Sequence, residues 1–383
     1  MATAQERVVA TESDSEEEKA PRPAKRQRTS SPFADRSDAW FREAYGCRRS
    51  SFSFLCDLVE RHWSDVNGRV AAQPPSSSIR DRVAVTIYYL THSGGLEAAA
   101  EAHGMTPTAA NRYIWQVIEV LLSRMVKTAY FRLPKSDTDW TRLSTAFEAL
   151  CGFPDCCLAV GGLLVEIQRP RDWEGWYCSK NFPAENVQLV VDAQCRIRSM
   201  DVRPGSVTDR ETLNYSRFGR NLAEMLPEGK HIVGHAGFLL SKQVMVPYPA
   251  TNSLSPAEKL FNKRQATTQR TVKRTREMLK KRFRILQKPL DQKTEDGDAA
   301  TTQMAKVIST AIVLHNVLVD LDDLVELDSS LEDDTDEEDA NEGSEAEDSA
   351  GEAEERDEHA EDQRDRVKKY LFDNRAYLAR HYG

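Results

Sequence analysis

The order of strand-like and helix-like segments between residues 150 and 318 constrains the fold of this chain more than any other feature. The apolar segment "CCLAVGGLLVEI" (156–167) has the length of a strand, and "NVQLVVDAQCRIRSMDVRP" (186–204) contains two strands joined by a tight turn. An amphipathic helical pattern capped by Ser206 or Thr208 follows, and then the short strand "HIVGH" (231–235). A long basic helical pattern and an apolar one complete this part. These segments predict a mixed α/β fold, in which helices flank a mixed sheet.

A three-stranded meander followed by a helix, a strand and further helices is the order of a ribonuclease-H-like domain, which we place at residues 150–320. Residues 37–130 are different, because their apolar residues recur at helical intervals throughout. We therefore predict an all-α domain in front of the mixed α/β domain.

One pair of helices in the all-α domain has the pattern of a helix-turn-helix. A short helix ends at Gly104, and a longer one begins with Thr106 as N-cap and Pro107 at the first helical position. The second helix of such a motif can enter the major groove of DNA with its N-terminal residues at the base edges. The residues in that position are Thr108, Asn111 and Arg112. A plain helical bundle explains the same spacing equally well.

The charge of the chain is very unevenly distributed. The net charge is −9, yet 22 of the 41 residues from 322 to 362 are Asp or Glu, against Arg356 as the only base. So many like charges oppose collapse into a core, so residues 321–362 are predicted to be a disordered acidic segment. Residues 363–383 are predicted to form an amphipathic helix. The rest of the chain is basic, which favours a polyanionic partner such as DNA or chromatin.

Residues 1–36 are polar and nearly free of aromatic residues, which is typical of a disordered tail. Lys25, Arg26 and Arg28 lie there between prolines and predict a nuclear import signal, with a solvated charged tail as the alternative.

The seven cysteines include no CxxC pair, so we interpret them as reduced, mostly buried thiols rather than as a zinc site formed by Cys151, Cys156 and Cys157. The apolar run around 158–165 is too short to span a bilayer, so no membrane association is expected.

Several sequence blocks resemble the Harbinger-type (PIF/Harbinger) DDE transposases, in the same order. The blocks are "FPDCCLAVGG" (153–162), "NVQLVVDA" (186–193), "RPGSVTDRETL" (203–213), "VGHAGFLLSKQVMVPY" (233–248), "SPAEKLFNKR" (255–264), "KRTREMLKKRFRIL" (273–286) and "AIVLHNVL" (311–318). With the helix-turn-helix, the resemblance covers most of residues 75–320. It implies a nuclease domain descended from a cut-and-paste transposase, often working with a separate Myb-like DNA-binding protein.

The resemblance also implies that the catalytic acids of the family have been replaced here. In the family, three carboxylates hold the divalent metal ions that activate the nucleophile and stabilise the leaving oxygen. Gly161, His235 and Lys273 stand at the matching positions. A glycine supplies no ligand, a neutral imidazole brings no charge to balance Mg²⁺, and an ammonium group is repelled by a dication. We therefore predict a degenerate nuclease without a metal cofactor.

The sequence leaves two alternatives to this interpretation. Asp192, Asp209, His235 and Glu277 could form a rearranged site for Mg²⁺ or Mn²⁺, which would make the chain an active DNA endonuclease. A protein-interaction scaffold on the same fold is the second alternative. The interpretation we favour is a catalytically inactive, DNA- or chromatin-binding nuclear protein. Lys280, Lys281 and Arg282 of the basic helix are then expected to contact phosphates.

Overall fold

The computed structural model describes residue 33 and residues 35–67, 78–169, 174–250, 253–291, 297–327 and 357–382. The contacts divide the chain into a unit of residues Met1–Ser37 and a compact unit of residues Asp38–Gly383. The import signal predicted at Lys25, Arg26 and Arg28 lies outside the described residues. The all-α part and the mixed α/β part, predicted as two domains, both lie within the second unit.

The N-terminal part of the compact unit is helical, as the spacing of its apolar residues predicts. Its helices are α1 (Asp38–Tyr45), α2 (Arg49–Asn67), α3 (Ile79–Thr91), α4 (Gly95–Ala102), α5 (Pro107–Leu121), α6 (Arg124–Tyr130) and α7 (Asp137–Cys151).

The predicted start of α5 is confirmed. The Thr106 side chain accepts a hydrogen bond from the Ala109 N–H (3.3 Å), and Pro107 occupies the first helical position. The turn before it contains Gly104, whose φ of 61° lies in the left-handed region that favours glycine. Helix α5 buries its apolar side against α2, α3 and α4. The short helix, turn and capped helix therefore exist, whereas contact of α5 with DNA stays a prediction.

The sheet has five strands: β1 (Cys156–Glu166), β2 (Ala184–Val191), β3 (Ile197–Pro204), β4 (His231–Val233) and β5 (Val244–Met245). Their spatial order is β3-β2-β1-β4-β5. The β1–β2 and β2–β3 pairs are antiparallel, and the β1–β4 and β4–β5 pairs are parallel, so the predicted mixed sheet is confirmed. The edge strand β5 was not predicted, because two residues cannot show a strand periodicity.

Two helices connect β3 to β4, where the sequence pattern predicts a single one. They are α8 (Asp209–Tyr215) and α9 (Arg217–Met225), and Ser216 is both the C-cap of the first and the N-cap of the second. The Ser216 side chain accepts a hydrogen bond from the Gly219 N–H (2.9 Å). Helix α8 begins at a capping box formed by Thr208 and Glu211, which selects Thr208 over Ser206 as the cap.

Both faces of the sheet are covered by helices. Leu158, Val160 and Val190 pack on one face with residues of α7, α8 and α9. Side chains alternate along a strand, so the neighbouring residues of β1 point to the other face. There the long helix α10 (Pro256–Arg282) packs against β1 and β2.

Helix α11 (Gly297–Asp320) joins the sheet to the N-terminal helices. It packs against α5, α6 and β3. Its residues Thr301–Asp320 are long and apolar enough to cross a membrane by length and composition, with a mean hydropathy of 1.3, but 67% of that window is buried inside the protein. This composition is therefore that of a core helix.

The predicted disorder of residues 321–362 is wrong at both ends of that range. At the first end, Asp323 is 1% exposed and accepts a hydrogen bond from the Arg48 N–H (2.7 Å). Its carboxylate also lies 3.6 Å from the Arg282 guanidinium and 3.6 Å from that of Arg48, so its charge is balanced in the interior. At the other end, a helix begins at Glu358. Residues 328–356 lie outside the described residues.

The C-terminal residues form α12 (Glu358–Asp373) and α13 (Arg375–Tyr382), where one helix was predicted. Helix α12 packs along α10. The Tyr248 hydroxyl donates a hydrogen bond to the Asp365 carboxylate (2.5 Å), and the Arg364 guanidinium lies 4.1 Å from the centre of the Tyr248 ring. The Arg264 guanidinium donates to the Leu378 carbonyl oxygen (3.2 Å). The C-terminal helices are therefore part of the compact unit.

All seven cysteines are free and buried, as predicted. The Cys151 thiol donates to the Phe147 carbonyl oxygen (3.1 Å), whereas the Cys157 thiol lies 3.5 Å from the Trp140 carbonyl oxygen. Burial raises the pKa of Cys157 to about 12, so this thiol stays protonated at neutral pH. These cysteines fill the core as small apolar residues.

Candidate functional site

The position that the resemblance assigns to the first catalytic acid lies in the middle of β1. Gly161 and Gly162 are adjacent there, so a Cβ added to one would point to the opposite face from a Cβ added to the other. At Gly161 it would lie 3.1 Å from Val272 Cγ1 and 3.3 Å from Gln269 Nε2, both on α10. At Gly162 it would lie 2.4 Å from Asp209 Oδ1. Gly161 thus faces α10, and Gly162 faces the start of α8.

Asp209, the first residue of α8, is held by side chains from two strand segments. Asn186 Nδ2 donates to its Oδ1 (2.9 Å), and His235 Nε2 lies 3.1 Å from its Oδ2. Gln188 Nε2 donates to the Asp209 carbonyl oxygen (3.0 Å). The side chains of Asp209 and His235 are each 10% exposed. The carboxylate of Asp209 is therefore bound in the interior of the protein, although Asp209 is the first residue of a helix.

The hydrogen bonds of His235 assign the tautomer of its ring. The Gly237 N–H donates to Nδ1 (3.1 Å), so Nδ1 carries the lone pair. The proton of the neutral ring is then on Nε2, which donates it to Asp209. Both ring nitrogens are thus used within the protein. In this arrangement, neither nitrogen offers a lone pair to a metal ion or to a substrate proton.

Lys273 matches the third acid of the family. It follows Val272, which contacts Gly161, but its own side chain lies in a different environment. It lines a cavity of about 570 Å³ together with Arg270, Arg274 and Glu277. Neither Gly161 nor His235 lines that cavity. The three positions that the resemblance groups together therefore do not share one site. Gly161 faces Val272 and Gln269 of α10, His235 pairs with Asp209 at the start of α8, and Lys273 lines the cavity.

The rearranged metal site considered as an alternative is only half assembled. Asp192 lies in the turn after β2, where its Oδ1 accepts from the Gln194 and Arg196 N–H groups (3.0 Å each). Its Oδ2 lies 2.7 Å from an Arg198 nitrogen. These bonds commit Asp192 to the turn, and Glu277 lies in the cavity described above. The four-residue grouping is therefore wrong for Asp192 and Glu277, and only Asp209 and His235 meet.

The remaining donors do not fit the metal ions of a DDE nuclease. Among the residues that the structure describes, no group of three or more His, Cys, Asp or Glu side chains could hold a metal ion. Mg²⁺ requires near-octahedral oxygen ligands and usually at least one or two carboxylates. Asp209 supplies the only carboxylate of the pair, and both of its oxygens already accept hydrogen bonds.

Polar side chains of α10 bind the backbone at this site, which the sequence analysis missed. Gln265 Nε2 donates to the Gly234 carbonyl oxygen (2.7 Å), Gln269 Nε2 to that of Val160 (2.7 Å), and an Arg276 nitrogen to that of Gly162 (2.9 Å). The three donors follow helical spacing on one side of α10. The signal in the sequence that could have indicated these contacts was the helical spacing of two glutamines, Gln265 and Gln269, within a basic helix.

The predicted DNA-contacting residues differ in their exposure. Thr108, Asn111 and Arg112 are exposed at the start of α5. Asn111 Oδ1 accepts from the Trp115 indole N–H (3.0 Å), which leaves the Asn111 amide nitrogen directed away from Trp115. Lys281 is exposed and Lys280 is half-buried.

Arg282 is 5% exposed and donates a hydrogen bond to the Asp323 carbonyl oxygen. Its assignment as a phosphate contact is therefore wrong, because a buried cation paired with a carboxylate does not reach a ligand at the surface.

Comparisons with known proteins show what this chain is similar to. Residues 160–316 match the family described as DDE superfamily endonuclease. The chain is 24% identical to the putative nuclease HARBI1 of Mus musculus over 294 residues, which cover 75% of this chain and 79% of the relative. It is 24% identical to the putative nuclease HARBI1 of Xenopus laevis over 295 residues, which cover 75% and 80%. No solved structure matches the chain. Residues 160–316 are therefore similar to a DDE superfamily endonuclease domain, and about three quarters of the chain is similar to the two HARBI1 proteins.

Proposed function

We propose that this chain is a transposase-derived nuclear protein that binds DNA or chromatin without cleaving DNA. The observation that carries the proposal is the closed hydrogen-bond system of His235, whose Nδ1 accepts from Gly237 and whose Nε2 donates to Asp209. With Gly161 in β1, this position offers one carboxylate where a two-metal mechanism needs several. The donor set therefore supports the proposed loss of catalysis.

The distribution of charge supports a nucleic acid as the partner. The start of α5 exposes Thr108, Asn111 and Arg112, and α10 exposes Lys281. Phosphate contacts from such cations give sequence-independent affinity, and amide or hydroxyl side chains at a helix start can read base edges. The nuclear location is proposed from the basic cluster at Lys25–Arg28. The resemblance adds a Myb-like DNA-binding protein as a candidate partner.

The absence of cleavage is tested with supercoiled plasmid and Mn²⁺, comparing the natural chain with Asp209→Ala. Both proteins are expected to leave the plasmid intact, because the natural site already lacks the ligands for catalysis. Nicking by the natural chain that Asp209→Ala abolishes would establish the rearranged active site instead. The triple variant Gly161→Asp, His235→Asp, Lys273→Glu is also expected to leave the plasmid intact, because its three new carboxylates do not lie in one site.

The DNA affinity is tested by titrating a duplex at several salt concentrations. The slope of log affinity against log salt is expected to fall by about one unit in Arg112→Ala and in Lys281→Ala, one for each lost phosphate contact. Arg142→Ala is the matched control, because Arg142 is 76% exposed on α7, a helix that carries none of the predicted contact residues. A natural chain that fails to bind DNA even at low salt would favour the protein-interaction scaffold.

A further inference from the structure

One side of α10 carries a row of exposed cations. Lys259, Lys263, Arg270, Arg274 and Lys281 are exposed and follow one another at helical spacing, so they lie on the same face. We call this row the α10 basic face. With a rise of 1.5 Å per residue, the row from Lys259 to Lys281 is roughly 33 Å long. A face of this kind suits an extended anionic ligand better than a small one.

The acidic part of the chain begins beside this face. Leu324, Val325, Glu326 and Leu327 line the cavity of about 570 Å³ that Arg270, Lys273 and Arg274 also line. Glu277 of α10 lines it too. The side chains of Leu324 and of Leu150, which belongs to the same cavity, are 40% and 52% exposed. The chain therefore leaves the described structure at Leu327 within a few residues of the α10 basic face.

The sequence that follows Leu327 is complementary in charge and sufficient in length. Residues 328–339 contain eight Asp or Glu residues in twelve positions and no Lys or Arg. Twelve residues span up to about 40 Å when extended, which is enough to follow the whole face. The chain returns at Asp357, the N-cap of α12, and α12 packs along α10. Both ends of residues 328–356 are thus fixed next to α10.

We propose that residues 328–356 occupy the α10 basic face of the free protein and compete there with nucleic acid. A single exposed ion pair contributes little, but several act together here, and the tether holds the acidic residues at an effective concentration on the order of millimolar. The contact itself is independent of the proposed function. The competition rests on the proposed function, because it requires DNA binding.

The contact is tested on the full chain with a carbodiimide, which joins a carboxylate to a neighbouring lysine, followed by mass spectrometry. Cross-links from residues 328–339 are expected at Lys273 and Lys281 and are expected to vanish in 1 M salt, roughly a 3 Å screening length. Lys180 is the control, because it lies before β2, at the opposite end of that strand from the cavity residue Ala193. Cross-links that are absent, or as frequent at Lys180, would overturn the proposal.

The competition is tested by replacing each Asp of residues 328–339 with Asn and each Glu with Gln. Affinity for a DNA duplex at low salt is expected to rise at least tenfold, and Arg270→Ala with Arg274→Ala is expected to remove that gain. A chain with the order of residues 328–339 shuffled keeps the charge and should bind like the natural one. An unchanged affinity of the neutralised chain would disprove the competition.

The two experiments also separate this proposal from the proposed function. Selective cross-links in a protein that binds no DNA would leave the intramolecular contact established and refute the DNA-binding function. DNA binding without selective cross-links would refute the contact and leave the function standing.

Discussion

At the scale of single residues, both ring nitrogens of His235 are engaged in hydrogen bonds within the protein. A neutral ring donates through one nitrogen and accepts through the other, and both partners are present here in Asp209 and Gly237. The sequence grouped Asp209 with His235 only as two of four candidate metal ligands. Their direct pairing across 26 residues, without Asp192 or Glu277, depends on the fold and came from the structure.

The close approach of β1 to Asp209 makes Gly162 harder to replace than Gly161. A methyl group at position 162 would lie 2.4 Å from Asp209 Oδ1 and displace the carboxylate from Asn186 and His235. We expect Gly162→Ala to reduce the free energy of unfolding by about 2–4 kcal/mol, since buried polar groups lose their partners. Gly161→Ala, whose methyl group meets the Val272 side chain at 3.1 Å, should cost about 1 kcal/mol or less. Urea unfolding measures both, and equal losses would contradict the geometry.

Glu185 gives the protein a specific dependence of stability on pH. Burial raises the pKa of Glu185 from 4.5 to about 8. Because the pKa is raised in the folded state, the protonated Glu185 contributes to the free energy of unfolding. This contribution is fully present below pH 4.5 and is lost as the pH rises through 8. We therefore expect Glu185→Gln to be more stable than the natural chain at pH 8, by on the order of 3–5 kcal/mol, and this difference to shrink towards pH 5.

Urea unfolding at several pH values measures this difference. Glu166→Gln is the control, because Glu166 is an exposed residue of the same sheet. A Glu185→Gln difference that stays constant between pH 5 and pH 8 would show that the carboxyl group is not titrating in that range.

At the scale of elements, sequence patterns predicted the long helices and strands. They gave wrong predictions where tertiary contacts determine whether a segment is ordered or where a helix ends. The apolar periodicity of α10 and the alternation in β1 are local properties, so they could be read directly. The break at Ser216 depends on one side chain capping the next turn, and the order around Asp323 depends on three arginines distant in sequence. Composition alone therefore predicted disorder for a residue that is buried.

Asp323 connects three elements, which makes its removal costly. Arg48 lies before α2 and Arg282 ends α10, and both bind Asp323 beyond the end of α11. We expect Asp323→Ala to reduce the free energy of unfolding by about 3–5 kcal/mol, because it leaves the buried Arg282 without a counter-charge. Asp322→Asn is the matched control, since Asp322 is exposed and asparagine tolerates its φ of 53°. Chemical denaturation compares them, and similar losses would argue against the buried ion cluster.

At the scale of the whole molecule, the all-α and mixed α/β parts are joined through several contacts. Helix α11 packs on α5 and α6, Lys306 pairs with Glu119 (2.6 Å), and an Arg284 nitrogen donates to the Thr91 carbonyl oxygen (2.9 Å). The sequence analysis predicted two domains here because the residue pattern changes from helical to mixed. Such a change marks a different type of secondary structure, but it does not mark a boundary between separately folded domains.

This integration predicts that the compact unit unfolds in one step. Tryptophan fluorescence, which reports on both parts through residues such as Trp63 and Trp140, should change together with far-ultraviolet circular dichroism during thermal unfolding. Two separated transitions would show that the predicted domain boundary near residues 130–150 is also a boundary of stability.

The pairing of Asp209 with His235 has a consequence for the history of the lineage. Under the proposed function, a change of His235 back to aspartate alone would place a second carboxylate next to Asp209. The two carboxylates would repel each other, because no cation would yet be bound to compensate their charge. The first step back towards catalysis would thus weaken the fold and bring no activity in exchange. Nuclease activity can be lost through single substitutions, but regaining it here requires several substitutions at once. The Asp209–His235 pair therefore makes the loss of activity difficult to reverse during evolution.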